Sequence, residues 1–214
     1  MRSGRTVRED RDIAAAVRTA LLGHPHVMAV ELVGSRARGT PTPLSDWDFA
    51  VEVNDFAGFT ADLPALVAEL EPLSQQWDRL GPQDYSCYML MLKGPVKVDL
   101  IFPGVPHRPE PPWEVSPNAL DGIDQHFWDW VLWMTAKEQG GKDELVRQEL
   151  RKMSEHLLKP MGVDPVPGSI QAATVEYLSA RERLESSLGI QVSRRVEREV
   201  LPVVSSAGAG TDST

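Results

Sequence analysis

The chain has 214 residues, 42% of them hydrophobic, and its 22 Lys and Arg face 31 Asp and Glu for a formal charge of −9. That balance excludes an extended nucleic-acid tract, whose affinity comes from Lys and Arg displacing condensed counterions. The single cysteine, Cys87, excludes an intrachain disulfide and a thiolate metal cluster and fits a reducing compartment, so a cytoplasmic location is expected.

Thr6 and Glu9 have capping-box spacing, and Ile13, Val17, Ala20 and Leu21 then recur at helical intervals, predicting a first helix that ends near Gly23. "VMAVELV" (27–33) is short, rich in β-branched residues and closed by Gly34, the pattern of a buried strand. In "SDWDFAVEV", Trp47, Phe49, Val51 and Val53 alternate with Asp46, Asp48, Ala50 and Glu52, which makes a strand with one apolar and one acidic face. Leu63, Leu66, Val67 and Leu70 mark an amphipathic helix. "YSCYMLML" (85–92) and "VKVDLIF" (96–102) are joined through Gly94 as a hairpin, so the sheet is expected to be mixed. In its second arm Val96, Val98, Leu100 and Phe102 share one face, and Lys97, Asp99 and Ile101 the other.

From residue 105 to 117 the composition turns proline-rich, as in a stiff linker. Ser116 and Pro117 open a helix that Gly140 and Gly141 stop. "HFWDWVLWM" inside it is apolar almost all round, the pattern of a buried central helix. A second helix carries Val146, Leu150, Met153 and Leu157 and is expected to end before Pro160, and a third runs from near Ser169 to Gly189. No apolar run reaches the roughly 20 residues of a membrane span, so no membrane partner is expected. The expected fold is α+β: a mixed-sheet N-terminal domain (1–104), the linker (105–117), an all-α domain (118–204) and a disordered tail (205–214).

Two carboxylates two apart on a strand emerge on one face about 7 Å apart, where they repel unless a cation lies between them. If Asp99 faces the same way on a neighbouring strand, three carboxylates converge, and Mg²⁺ suits such a set of hard oxygens. Ahead of them, Gly34, Ser35 and "RARG" form a turn whose N–H groups and Ser35 hydroxyl suit a phosphate, with Arg36 and Arg38 near enough to add positive charge. A solvated polar sheet face is the competing reading of the acids. Lys97 is either an ion-pair partner that keeps Asp99 charged or a ligand for a triphosphate.

The segment "GSRARGTPTPLSDWDFAV" resembles the signature of the nucleotidyltransferase superfamily related to DNA polymerase β: Gly-Ser, ten residues, then Asp-x-Asp in a strand, with "VKVDLIF" matching the later strand that bears the third acid. The resemblance covers roughly residues 27 to 102. The two-domain outline is similar to the antibiotic nucleotidyltransferases that adenylylate aminoglycosides or lincosamides.

The resemblance implies a nucleotidyltransferase enzyme using Mg²⁺ and ATP or another nucleoside triphosphate. Asp46, Asp48 and Asp99 would bind metal and act in catalysis. Gly34 and Ser35 would hold the β/γ-phosphates with help from Arg38, and Lys97 would also bind nucleotide. Asp99, or one of Asp121, Asp124 and Asp129, would accept the proton of the attacking hydroxyl. Trp47, between the two acids, departs from the small or aliphatic residue usual there and is expected to pack in the core. The helical domain would bind a small-molecule acceptor, and the acidic chain suits a cationic one such as an aminoglycoside, with the protein acting as a monomer or homodimer. Two other functions fit the same signature: an antitoxin-type nucleotidyltransferase modifying a partner toxin protein, and a nucleotide-binding module without turnover.

Overall fold

The computed structural model describes residues 7–208, with side chains from residue 13 to residue 207. The chain divides into two compact units between Glu110 and Pro111. Among the described residues, no helix is long and apolar enough to cross a membrane.

The N-terminal unit is built on a five-stranded mixed sheet. Its strands are β1 (Val27–Leu32), β2 (Trp47–Val53), β3 (Ser74–Trp77), β4 (Tyr85–Leu92) and β5 (Val96–Pro103), in the spatial order β1-β2-β5-β4-β3. β2 and β5 run parallel in the middle, while β1 pairs antiparallel with β2 and β4 antiparallel with β5. The hairpin turns through Gly94 at φ 100°, a left-handed conformation that glycine adopts without strain. β1 differs from the expected buried strand: it lies at the sheet's edge with one neighbour, so only Val30 is fully buried and Met28 is 67% exposed. β3 was not anticipated, because "SQQW" has no apolar alternation; its pairing with β4 is what makes it a strand.

Helix α1 (Val7–Leu22) puts Val17 and Leu21 into the core. Thr6 of the expected capping box lies outside the described residues. The short helix α2 (Gly34–Ala37) follows β1. Helix α3 (Phe56–Leu66) starts earlier than the apolar stripe suggested, since Asp55 accepts a hydrogen bond from Gly58 N at 3.0 Å and caps it, and a 3₁₀ turn (Val67–Leu70) extends it. One apolar cluster joins α1 and α3 to Trp47, Phe49, Val51, Val96, Val98, Leu100 and Phe102 from the two central strands. Burying each such large side chain favours the fold by about 1.5–3 kcal/mol. That cluster fixes β2 and β5 side by side, and their other faces carry the acids.

The C-terminal unit is all helical: α4 (Leu120–Gln139), α5 (Asp143–Met153), α6 (Ile170–Leu188) and α7 (Arg195–Gly208). α4 is buried round most of its circumference, including Phe127, Trp128, Val131 and Met134. It begins at Leu120, because the Ser116 hydroxyl caps Ala119 N and the Ser116 carbonyl accepts from Leu120 N. After α5 the chain does not stop before Pro160. A π turn (Ser154–Leu158) and a 3₁₀ turn (Lys159–Met161) carry it to Gly162, with Pro160 in the first turn of the 3₁₀ segment, where its missing N–H is not needed.

α7 was not anticipated. Its stripe of Val196, Val200 and Val204 is buried, but valine has low helix propensity, so packing rather than local preference sets this helix. Disorder was expected from residue 205; α7 instead continues to Gly208. Within the expected linker, His107 N and Glu110 N donate to the carbonyls of Gln83 and Arg79, whereas Trp113 N donates to the His156 carbonyl, so each end of the stretch is bonded into its own unit.

Candidate active site

Asp48 and Asp99 are directly paired across the parallel strands β2 and β5, with Trp47 opposite Val98 one step before. Paired residues of a parallel ladder share a face, so the two carboxylates project together while Trp47 and Val98 enter the core. Asp46 stands one residue before β2 and is 9% exposed. One carboxylate oxygen from each of Asp46, Asp48 and Asp99 lies within 4.8 Å of the others. Three acids at this spacing repel one another, and an all-oxygen set is what a hard divalent cation takes. The donor set fits such an ion.

One counter-charge is already present. Lys97, on the same face of β5, donates from Nζ to Asp99 Oδ1, and its side chain is only 5% exposed. Of the two roles open to Lys97 from sequence, the structure displays the ion pair. Burying an ammonium group this deeply requires such a partner.

Gly34 is held against the acids. Its φ is +69°, and a Cβ built on it would lie 2.0 Å from Asp48 Oδ2 and 2.9 Å from Asp48 Cγ. Val33 N donates to the Asp48 carbonyl at 2.8 Å, so main chain and side chain of Asp48 both bear on the Val33–Gly34 bend. No side chain other than hydrogen can stand there with Asp48 in place. Ser35 follows on α2 and is half-buried, and Arg38 ends the turn with its side chain exposed.

Arg36, which sequence placed near enough to add charge, is bonded to the main chain beside the first acid. Its Nε donates to the carbonyls of Asp46 (3.1 Å) and Ser45 (3.2 Å), and its Nη2 to the Ser45 carbonyl (2.8 Å). The guanidinium carbon sits 4.1 Å from the centroid of the Trp47 ring. Trp47 is thus core packing, as expected, and also the platform for Arg36. The sequence signal was the unusual tryptophan between the acids; the missing step was that the loop from 39 to 45 folds Arg36 back onto it.

The acids proposed for the helical domain are placed differently from one another. Asp121 is exposed and accepts from Gln125 at 2.6 Å. Asp129 is buried. Asp124 is an internal group: it accepts from Tyr177 Oη (2.5 Å), Arg181 Nη1 (2.7 Å) and Trp128 Nε1 (3.3 Å), and burial raises its pKa against the pull of those donors. Asp124 therefore acts within the C-terminal unit, tying α4 to α6, and is withdrawn from the candidates for proton acceptor. The charge chain continues from Arg181 to Glu197 (2.6 Å) and from Arg194 to Glu185 (2.5 Å).

A family match covers most of the N-terminal unit. Residues 13–104 match the family described as nucleotidyltransferase domain. No curated protein matches the sequence. Similar solved structures include an aminoglycoside 6-adenyltransferase from Bacillus subtilis, at 11% identity over 96% of this chain and 99% of that one, TM-score 0.33. Another is the polymerase core of TRAMP, an RNA surveillance complex, at 12% identity over 96% of this chain and 57% of that one, TM-score 0.37.

Proposed function

We propose that this protein, whose residues 13–104 match the nucleotidyltransferase domain family, transfers a nucleoside monophosphate, AMP in the first instance, from a triphosphate to a hydroxyl of a small molecule. The observation that carries the reading is the meeting of Asp46, Asp48 and Asp99 within 4.8 Å, beside a glycine whose missing side chain makes room for Asp48.

Asp46, Asp48 and Asp99 would hold a divalent cation, which would supply positive charge for displacement at phosphorus. Gly34 and Ser35 receive the β/γ-phosphates, and the exposed Arg38 adds a guanidinium to them. Asp99 takes the proton from the acceptor hydroxyl. The hydroxyl oxygen bonds to the α-phosphorus, the bond from that phosphorus to the bridging oxygen breaks, and pyrophosphate leaves with the electron pair. Lys97 holds the Asp99 carboxylate in place through their ion pair. The helical domain is assigned to the acceptor, and the charge of −9 favours a cationic one.

The test is incubation of the full chain with Mg²⁺, ATP or GTP and a panel of aminoglycosides and lincosamides, following pyrophosphate release and product mass. A product heavier by one nucleotidyl group is expected. Absence of turnover across the panel would overturn the acceptor class, and absence of metal-dependent nucleotide binding would overturn the activity itself.

A further inference from the structure

We propose that Arg36 is a positioning residue for the metal ligands, clamping the main chain of Asp46 from the face of Trp47; the inference rests on the nucleotidyltransferase reading above. Asp46 needs such a device. The ladder with β5 starts at Trp47, paired with Val98, so Asp46 is contributed by the incoming loop, whose residues 39–43 are exposed. Asp48 and Asp99, by contrast, are held in register by the sheet.

The clamp has three parts. Arg36 Nε and Nη2 reach the Ser45 carbonyl, and Nε also reaches that of Asp46, at 2.8 to 3.2 Å. The ring of Trp47, 3% exposed and packed at 6.5 Å against Phe49, gives the guanidinium a fixed floor. At its other end Arg36 belongs to α2, whose first residue, Gly34, touches Asp48. One side chain therefore links the glycine turn, the loop acid and the core beneath them.

The chemistry requires arginine. A planar fork can stack on an aromatic face and donate to two carbonyls from its edge at once, whereas an ammonium group can do one or the other. With two of its nitrogens on carbonyls, Arg36 acts on the acids through their backbone. Groups that orient metal ligands without touching the metal typically govern affinity by about 10- to 100-fold.

The experiment titrates the full-length protein with Mn²⁺ alone, read by electron paramagnetic resonance, for wild type, Arg36→Lys and Arg36→Ala. Both variants are expected to bind Mn²⁺ about 10-fold or more weakly with unchanged circular dichroism, and ethylguanidinium is expected to restore much of the affinity to Arg36→Ala, which a general packing defect would not allow. In turnover, kcat should fall more than the KM for nucleotide rises. Should Arg36→Ala unfold, Arg36→Lys decides the matter. Wild-type Mn²⁺ affinity in Arg36→Lys, with weakened binding of inorganic tripolyphosphate, would overturn the proposal in favour of a direct phosphate contact. If the wild-type protein binds no Mn²⁺, the metal reading fails first and takes this inference with it.

Discussion

Gly34 and Asp48 are in contact through an atom that Gly34 does not have: a Cβ there would overlap Asp48 Oδ2 at 2.0 Å. Alanine at 34 must therefore displace the carboxylate, in addition to the cost of about 1–2 kcal/mol for a side chain at φ +69°. Gly34→Ala is expected to melt a few degrees lower and to lose Mg²⁺-dependent nucleotide binding, measured by calorimetry with and without the metal. Normal binding of MgATP by the variant would remove Asp48 from the metal set.

Asp46→Asn and Asp48→Asn keep the shape of the side chains and remove one negative charge each. Both should stay folded, since relief of repulsion among three acids offsets the lost contacts. Turnover should fall by at least about 100-fold, because several kcal/mol of charge stabilisation depends on the ligand set. A pyrophosphate-release assay checks this, and near-normal rates in either variant would place the site elsewhere.

Lys97→Met leaves Asp99 without its ion-pair partner. A buried pair broken from one side costs about 3–5 kcal/mol, and the partial exposure of Asp99, 15%, reduces this to about 2 kcal/mol. Added Mg²⁺ should raise the melting temperature of the variant more than that of wild type, since the cation replaces the lost charge. Equal shifts in the two proteins would mean that Lys97 and metal do not act on the same carboxylate.

Glu185 is expected to dominate a pH effect in the helical unit. Hydrogen bonding from Arg194, helped by Val192 N, lowers its pKa below the ordinary 4.5 despite burial. A lowered acid stabilises the fold fully above pH 4.5 and loses that stabilisation as pH falls through its folded value. Glu185→Gln should cost about 1.5–3 kcal/mol at pH 7. The gap from wild type, followed by denaturant unfolding, should narrow steadily below pH 4.5; a gap independent of pH would show that packing, not charge, is lost.

What could be read in advance followed from strict periodicity. The alternation from Trp47 to Val53 identified a strand, its core face and its acid face together, because a residue's side in a strand depends only on parity. The hairpin through Gly94 and the caps at Ser169 and Gly189 were equally local. β3 could not be read, since its polar residues become a strand only by pairing with β4. The ion pair of Lys97 with Asp99 was one of two local options, and the fold displays it. The clamp of Arg36 on Ser45 and Asp46 required knowing the path of a loop that sequence describes only as exposed and proline-bearing. The internal role of Asp124 is not legible locally, because its partners, Tyr177 and Arg181, lie more than 50 residues away along the chain.

The pairing of Asp48 with Asp99 joins β2 to a strand that is made only after α3, β3, β4 and a hairpin have been traversed. Contacts so distant in sequence form late, because the loop between them must first be closed. A polypeptide emerging from synthesis therefore cannot bring Asp48 and Asp99 together until its central strand has been inserted, and any ligand that needs both acids would favour finished molecules over partial ones. The acid cluster is thereby confined to chains that have passed their own test of assembly.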